Sequence, residues 1–175
     1  MLSNLVIHYV ARKMVFMLIG PSGSGKTTFA RALRNKIENN GTYCTILSSD
    51  MFNDGKAKDA YTPINEIMDT LFSNKAVGVL IVDATCLNAD RRKTILDMSR
   101  KHGCQVSGVV FNYATKGNYR PVNAPLQAMW SQYKTLQDQV LAELPREGFD
   151  HLYEITEADN TRFASLQASC AKPVH

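Results

Sequence analysis

The chain has 175 residues, 45% of them hydrophobic and 21% charged, which suits one soluble globular domain with a core of its own. Its net charge of +4 is modest, and no apolar run approaches the roughly 20 residues of a transmembrane helix, so a membrane-spanning protein is excluded as an expectation. Four cysteines, Cys44, Cys86, Cys104 and Cys170, form no C-x-x-C pair and read as buried free thiols of a reducing, cytoplasmic protein rather than as a disulfide or zinc framework.

Residues 1–13 carry no acid and end in Arg12-Lys13. The apolar part is short, is interrupted by His8 and precedes the charge, which is the wrong layout for a secretory signal. An arm or extra strand leading into the core is expected. Met14 to Ile19 is a continuous apolar run, as in a strand buried on both faces. It runs directly into Gly20-Pro-Ser22-Gly23-Ser24-Gly25-Lys26-Thr27-Thr28, which fits the phosphate-binding pattern G-x-x-x-x-G-K-[ST]. In such a loop the backbone amides wrap phosphate oxygens, Lys26 reaches the β- and γ-phosphates, and the Thr27 hydroxyl takes a place on Mg²⁺. The predicted helix over residues 28–38, with Phe29, Leu33 and Ile37 on one face, points its positive end at the anion.

Residues 42–47 are β-prone and end at Ser48-Ser49-Asp50, and residues 51–61 read as a polar loop. Thr62-Pro63 has the form of a helix cap and first-turn proline, followed by Ile64, Ile67, Met68, Leu71 and Phe72 at amphipathic spacing. Residues 77–83 form the clearest buried strand and end on Asp83. Asn88 or Asp90 caps the next helix, Gly103 closes it, and residues 106–111 make a fourth strand. Residues 112–123 lack a period and read as a flap carrying Lys116 and Arg120. A long helix then opens at Ala124 or Pro125 and runs through Leu144, with Leu126, Met129, Trp130, Tyr133, Val140, Leu141 and Leu144 as its core stripe. A short strand ends near Ile155, and residues 157–175 are a weakly patterned tail.

Strands alternating with helices predict an α/β fold: one parallel sheet of about five strands, flanked by helices, over residues 14–156. The loop, Asp50 and Asp83 should then meet at the carboxyl edge of that sheet, where ligands bind in such folds. Phosphoryl transfer needs a Mg²⁺-bound donor, a base for the acceptor hydroxyl and cations on the transferring group. Lys26 and Thr27 serve the donor, Asp50 or Asp83 the proton, and Lys116 and Arg120 the phosphates. The seven Lys/Arg between Cys86 and Val122, against two acids, suit a polyanionic substrate or a solvated basic face. The N-K-x-D of GTPases, a second ATPase module and a D-x-D-G-T phosphatase nucleophile are all missing.

The chain resembles the polynucleotide kinase branch of P-loop kinases, the 5′-hydroxyl kinase module of phage and eukaryotic nucleic-acid repair enzymes. The resemblance rests on the Gly20–Thr28 loop, on Ser48-Ser49-Asp50, on Val82-Asp83-Ala84-Thr85 running on to Arg91-Arg92, and on Glu147-Gly148-Phe149-Asp150. It implies ATP and Mg²⁺ as cofactors, a nucleic-acid 5′ end as partner and Asp50 as general base. It also implies that Asp83 and Thr85 line the acceptor pocket, and that Arg120 or Lys116 is the lid cation on the donor phosphates. The chain departs from the family at Asn53, where phage members carry an Arg that Lys56 or Lys58 would replace, and at Ala84, Cys86 and the shortened lid. A kinase of the same fold acting on a small-molecule hydroxyl (a metabolite, an antibiotic or a sugar nucleotide) is the alternative, and a nucleotide-gated binding domain without turnover is a third.

Overall fold

Strand β1 (Met14–Ile19) is buried along its whole length and pairs in parallel with a strand on each side. In the computed structural model, which describes residues 13–49, 61–73, 78–112 and 126–156, five parallel strands stand in the order β2-β3-β1-β4-β5. The others are β2 (Cys44–Ser48), β3 (Val79–Asp83), β4 (Gln105–Phe111) and β5 (His151–Ile155). The expected α/β fold with about five parallel strands is therefore the one formed. The N-terminal arm apart from Lys13, the 51–61 loop apart from Tyr61, the flap after Asn112 and the tail from residue 157 lie outside the described residues.

This strand order decides which helix goes where. Right-handed crossovers put the leftward connection from β1 to β2 on one face of the sheet, and the rightward ones on the other. The packing agrees. Helix α1 (Lys26–Asn39) buries Phe29, Ala30, Leu33 and Ile37 against Phe16, Leu18, Val79, Ile81 and Val109. On the opposite face, α2 (Tyr61–Ser73) contributes Met68 and Phe72, and α3 (Ala89–Lys101) contributes Ile95 and Leu96. These pack on Val15, Met17, Ile19, Leu80 and Val82, the alternate residues of the same strands. Asn88 is the cap of α3: its side chain accepts from the Arg91 amide at 3.0 Å.

The last helix differs from its expected form. Helix α4 (Leu126–Thr135) passes into a π-turn (Leu136–Val140), then an α-turn (Leu141–Glu143) and a 3-10 turn (Leu144–Arg146). The buried stripe is Met129, Leu136, Val140 and Leu144, spaced seven, four and four apart as one face of a helix. Trp130, placed in the core by the periodicity, instead stands 56% exposed, its ring beside Tyr133.

Cys44, Cys86 and Cys104 are buried free thiols, and Cys170 lies outside the described residues. Burial, with Glu38 adding to it, pushes the Cys44 thiol up to about 12; burial pushes Cys104 up to about 11. An unfolded thiol ionises near ~8.5. Their contribution is thus intact below that pH and is lost as pH climbs toward about 12. Iodoacetamide at pH 8 is expected to label Cys44 and Cys104 only after denaturation, as read by peptide mass spectrometry; rapid labelling of the native protein would contradict this burial.

Candidate active site at the carboxyl edge of the sheet

The connections leaving β1 and β3 go to opposite faces although the two strands are neighbours, which opens a crevice at their carboxyl ends. Hydrogen bonds span that crevice. The Gly20 amide donates to the Thr85 carbonyl at 3.0 Å, and Thr27 Oγ1 donates to Asp83 Oδ2 at 2.7 Å. Asp83 follows the parity of Val79 and Ile81, so it faces the α1 side where Thr27 begins the helix. It is buried, while Thr27 is exposed to the crevice.

The loop itself turns on its glycines. A Cβ on Gly20 would lie 2.9 Å from Phe111 Cβ, so only glycine lets the chain leave β1 this close to β4. Gly25, with φ 84°, brings the backbone into α1 and offers no side-chain cap. The first turn of α1 contains no acid either, and a helix start of this kind suits an anion. Lys26 is buried and folds back over the loop, its Nζ donating to the carbonyls of Gly20 at 3.0 Å and Pro21 at 2.6 Å. On the outer side, the Ser22 amide donates to Gln132 Oε1 of α4 at 2.6 Å.

After Asp83 the chain passes through Cys86, whose φ of 48° is in the left-handed region that non-glycine residues rarely enter. Arg92 holds that turn. Its Nη1 donates to the carbonyls of Cys86 at 3.0 Å and Leu87 at 2.8 Å. Its remaining donors reach Glu147 at 2.8 and 2.5 Å and Glu143 at 2.7 Å. Burial opposes the Arg92 charge, but the Glu147 and Glu143 carboxylates more than offset it and raise its pKa above the ordinary guanidinium value. The neighbouring residues complete a clasp: Gly148 accepts from Arg100, and Asp150 Oδ2 accepts from the Val106 amide at 2.7 Å.

Of the residues singled out by sequence, Gly20, Ser22, Gly23, Ser24, Gly25, Lys26, Thr27, Thr28, Asp83 and Thr85 are thus gathered at one crevice. Asp50, Lys116 and Arg120 lie outside the described residues. Arg92 and Gln132 have roles that sequence reasoning missed. Arg92 stood in a basic run that reads as a polyanion site or a solvated face, and in a segment quoted only for family resemblance, while Gln132 stood in a helix read for its apolar stripe. No group of three or more potential metal-ligating side chains occurs among the described residues.

The protein family described as "AAA domain" matches residues 15–116. Among solved structures, one from the PezAT chromosomal toxin–antitoxin system of Streptococcus pneumoniae is similar over 90% of this chain and 75% of that one, at 19% identity and a TM-score of 0.60. The Mycobacterium tuberculosis APS kinase, in complex with AMPPNP and APS, is similar over 93% and 100%, at 15% identity and a TM-score of 0.53. A shikimate kinase from Acinetobacter baumannii, in complex with shikimate, is similar over 93% and 96%, at 21% identity and a TM-score of 0.50. At these identities the likeness establishes the shared fold. No curated protein matches the sequence.

The Arg92 clasp is testable by itself. Arg92→Ala strands Glu147 and two carbonyls, and should cost about 3 kcal/mol of unfolding free energy. Urea unfolding measures it, and a loss below about 1 kcal/mol, the range of an exposed pair, would show the clasp to be incidental.

Proposed function

The chain belongs to the AAA domain family, and from that premise we propose that it is an ATP-dependent phosphotransferase of the P-loop kinase type, acting on a small-molecule hydroxyl. The observation that carries the donor half is the Thr27–Asp83 hydrogen bond beside the buried Lys26. It joins a hydroxyl at the head of the loop to a carboxylate on the neighbouring strand, the pair that P-loop enzymes use around Mg²⁺.

Lys26 exchanges the Gly20 and Pro21 carbonyls for phosphate oxygens, and the uncapped amides of Gly25 to Thr28 take the inner phosphates. Thr27 and Asp83 are the residues that would hold Mg²⁺, which when bound would neutralise phosphate charge. With Asp83 engaged on that side, the base that takes the acceptor proton is Asp50, at the end of the segment following β2. The acceptor oxygen forms a bond to the γ-phosphorus while the bond from that phosphorus to the β–γ bridging oxygen breaks, leaving ADP. Thr85 borders the acceptor space, and Arg120 or Lys116 adds positive charge to the phosphates.

Three considerations favour a small acceptor. The APS kinase and shikimate kinase structures, which carry small-molecule ligands, share the fold over nearly their whole length. The Glu147-Gly148-Phe149-Asp150 segment and Arg92, which support the resemblance to polynucleotide kinases, serve here as a scaffold clasp. Arg92 is also neutralised by its carboxylates, and Lys101 pairs with Asp69, so the basic run offers less free charge to a polyanion than its composition implies. The second reading, a kinase of 5′-hydroxyl RNA or DNA ends, is supported by the ordered loop, Asp50 and Asp83-Ala84-Thr85 matches.

Incubation with Mg²⁺, γ-labelled ATP, a metabolite extract and a 5′-hydroxyl oligonucleotide separates these readings. Label is expected on a small molecule, and to fall by about 100-fold or more in both Lys26→Ala and Asp50→Ala. Label on the oligonucleotide alone selects the second reading. Nucleotide binding without any transfer, or full turnover by Lys26→Ala, would contradict the proposal.

A further inference from the structure

Gln132 belongs neither to the phosphate loop nor to residues 15–116, yet it touches the loop. Its Oε1 accepts from the Ser22 amide at 2.6 Å, across 110 positions of sequence. The loop has two distinguishable ends. At one, Gly25 opens α1 and its uncapped amides await the inner phosphates. At the other, Lys26 Nζ rests on the Gly20 and Pro21 carbonyls. Since this lysine reaches toward the β- and γ-phosphates, the Gly20–Ser22 end is the one nearest the transferable phosphate. Gln132 sits at that end.

A carboxamide has one acceptor oxygen and one group with two donor hydrogens. With Oε1 committed to Ser22, Nε2 retains donors for which no partner is found among the described residues. The side chain is half-buried on the inner side of α4, between the buried residues Met129 and Leu136. The π-turn that starts at Leu136 carries Gln137, which donates to Asn112 Oδ1 just beyond β4, and Asn112 Nδ2 donates in turn to Glu154 Oε1 of β5 at 2.6 Å. Single π-turns within α-helices are frequent at functional sites.

We propose that Gln132 reads the terminal phosphate of the nucleotide: its Oε1 holds Ser22 in place, and its Nε2 donates to a γ-phosphate oxygen. This rests on the phosphate-loop reading above and deepens it, because it makes α4 a part of donor recognition. A neutral donor at this position adds specificity for a triphosphate over a diphosphate without adding charge to the loop.

Two variants separate recognition from mere support. Gln132→Ala removes both contacts. Gln132→Glu keeps the length and an acceptor for Ser22, but replaces the donor with an anion facing the phosphate. Binding of AMPPNP and of ADP, each with Mg²⁺, is measured calorimetrically for both variants and the native sequence. Gln132→Glu is expected to weaken AMPPNP roughly tenfold or more, the scale of a lost hydrogen bond plus like-charge repulsion, and ADP no more than about twofold. Gln132→Ala should fall between. Equal changes for the two nucleotides, or no change in either, overturn the proposal. A variant that melts early is judged by its AMPPNP-to-ADP ratio, which a purely structural role leaves unmoved. If the native protein binds neither nucleotide, the phosphate-loop reading itself fails, whereas binding of both with an unaltered ratio in Gln132→Glu defeats only the role of Gln132.

Discussion

The hydrogen bond from Thr27 Oγ1 to Asp83 Oδ2 joins the two halves of the molecule on which its chemistry depends. It exists because β1 and β3 are neighbours in the sheet while their following segments depart to opposite faces. That divergence leaves space at the carboxyl ends of the strands, and the Gly20 amide closes the floor of it onto the Thr85 carbonyl. Every other feature of the site is arranged around this crevice. Lys26 covers it from within the loop, α1 directs uncapped amides into it, and Gln132 approaches from α4.

Holding the turn after Asp83 in place needs a separate set of contacts. Cys86 is in an unfavourable left-handed conformation three residues after Asp83, the end of β3. Arg92 compensates by binding the Cys86 and Leu87 carbonyls, and it can be buried only because Glu143 and Glu147 neutralise it. The same short segment sends Asp150 to β4. The end of the chain's described part is thus coupled to the turn beside Asp83, even though it contributes no side chain to the crevice.

Much of this was legible in the sequence. The continuous apolar runs of β1 and β3 and the phosphate-loop motif specify their structures locally, and the alternation of strands and helices sufficed for a parallel sheet. The side-chain parity that turns Asp83 toward Thr27 follows from strand geometry once the register is known. What was not legible depended on long-range packing. Trp130 is apolar and adjacent to the stripe, but it lies about 100° round the helix from Met129, and only packing against the sheet decides that Leu136 is buried and Trp130 exposed. Arg92 reads as one member of a basic run, and its buried role emerges only when Glu143 and Glu147, more than 50 positions away, are folded against it. Gln132 carries no motif, and its significance comes only from lying against Ser22.

The central claim is that the crevice between β1 and β3 is a metal-assisted nucleotide site built on Thr27 and Asp83. Its most direct test is calorimetric titration of AMPPNP into the native protein and into Asp83→Ala, in Mg²⁺ and again in EDTA. The account predicts that Mg²⁺ strengthens binding to the native protein and that this gain is lost in Asp83→Ala, while binding in EDTA changes little between the two. An equal Mg²⁺ gain in both proteins would contradict it.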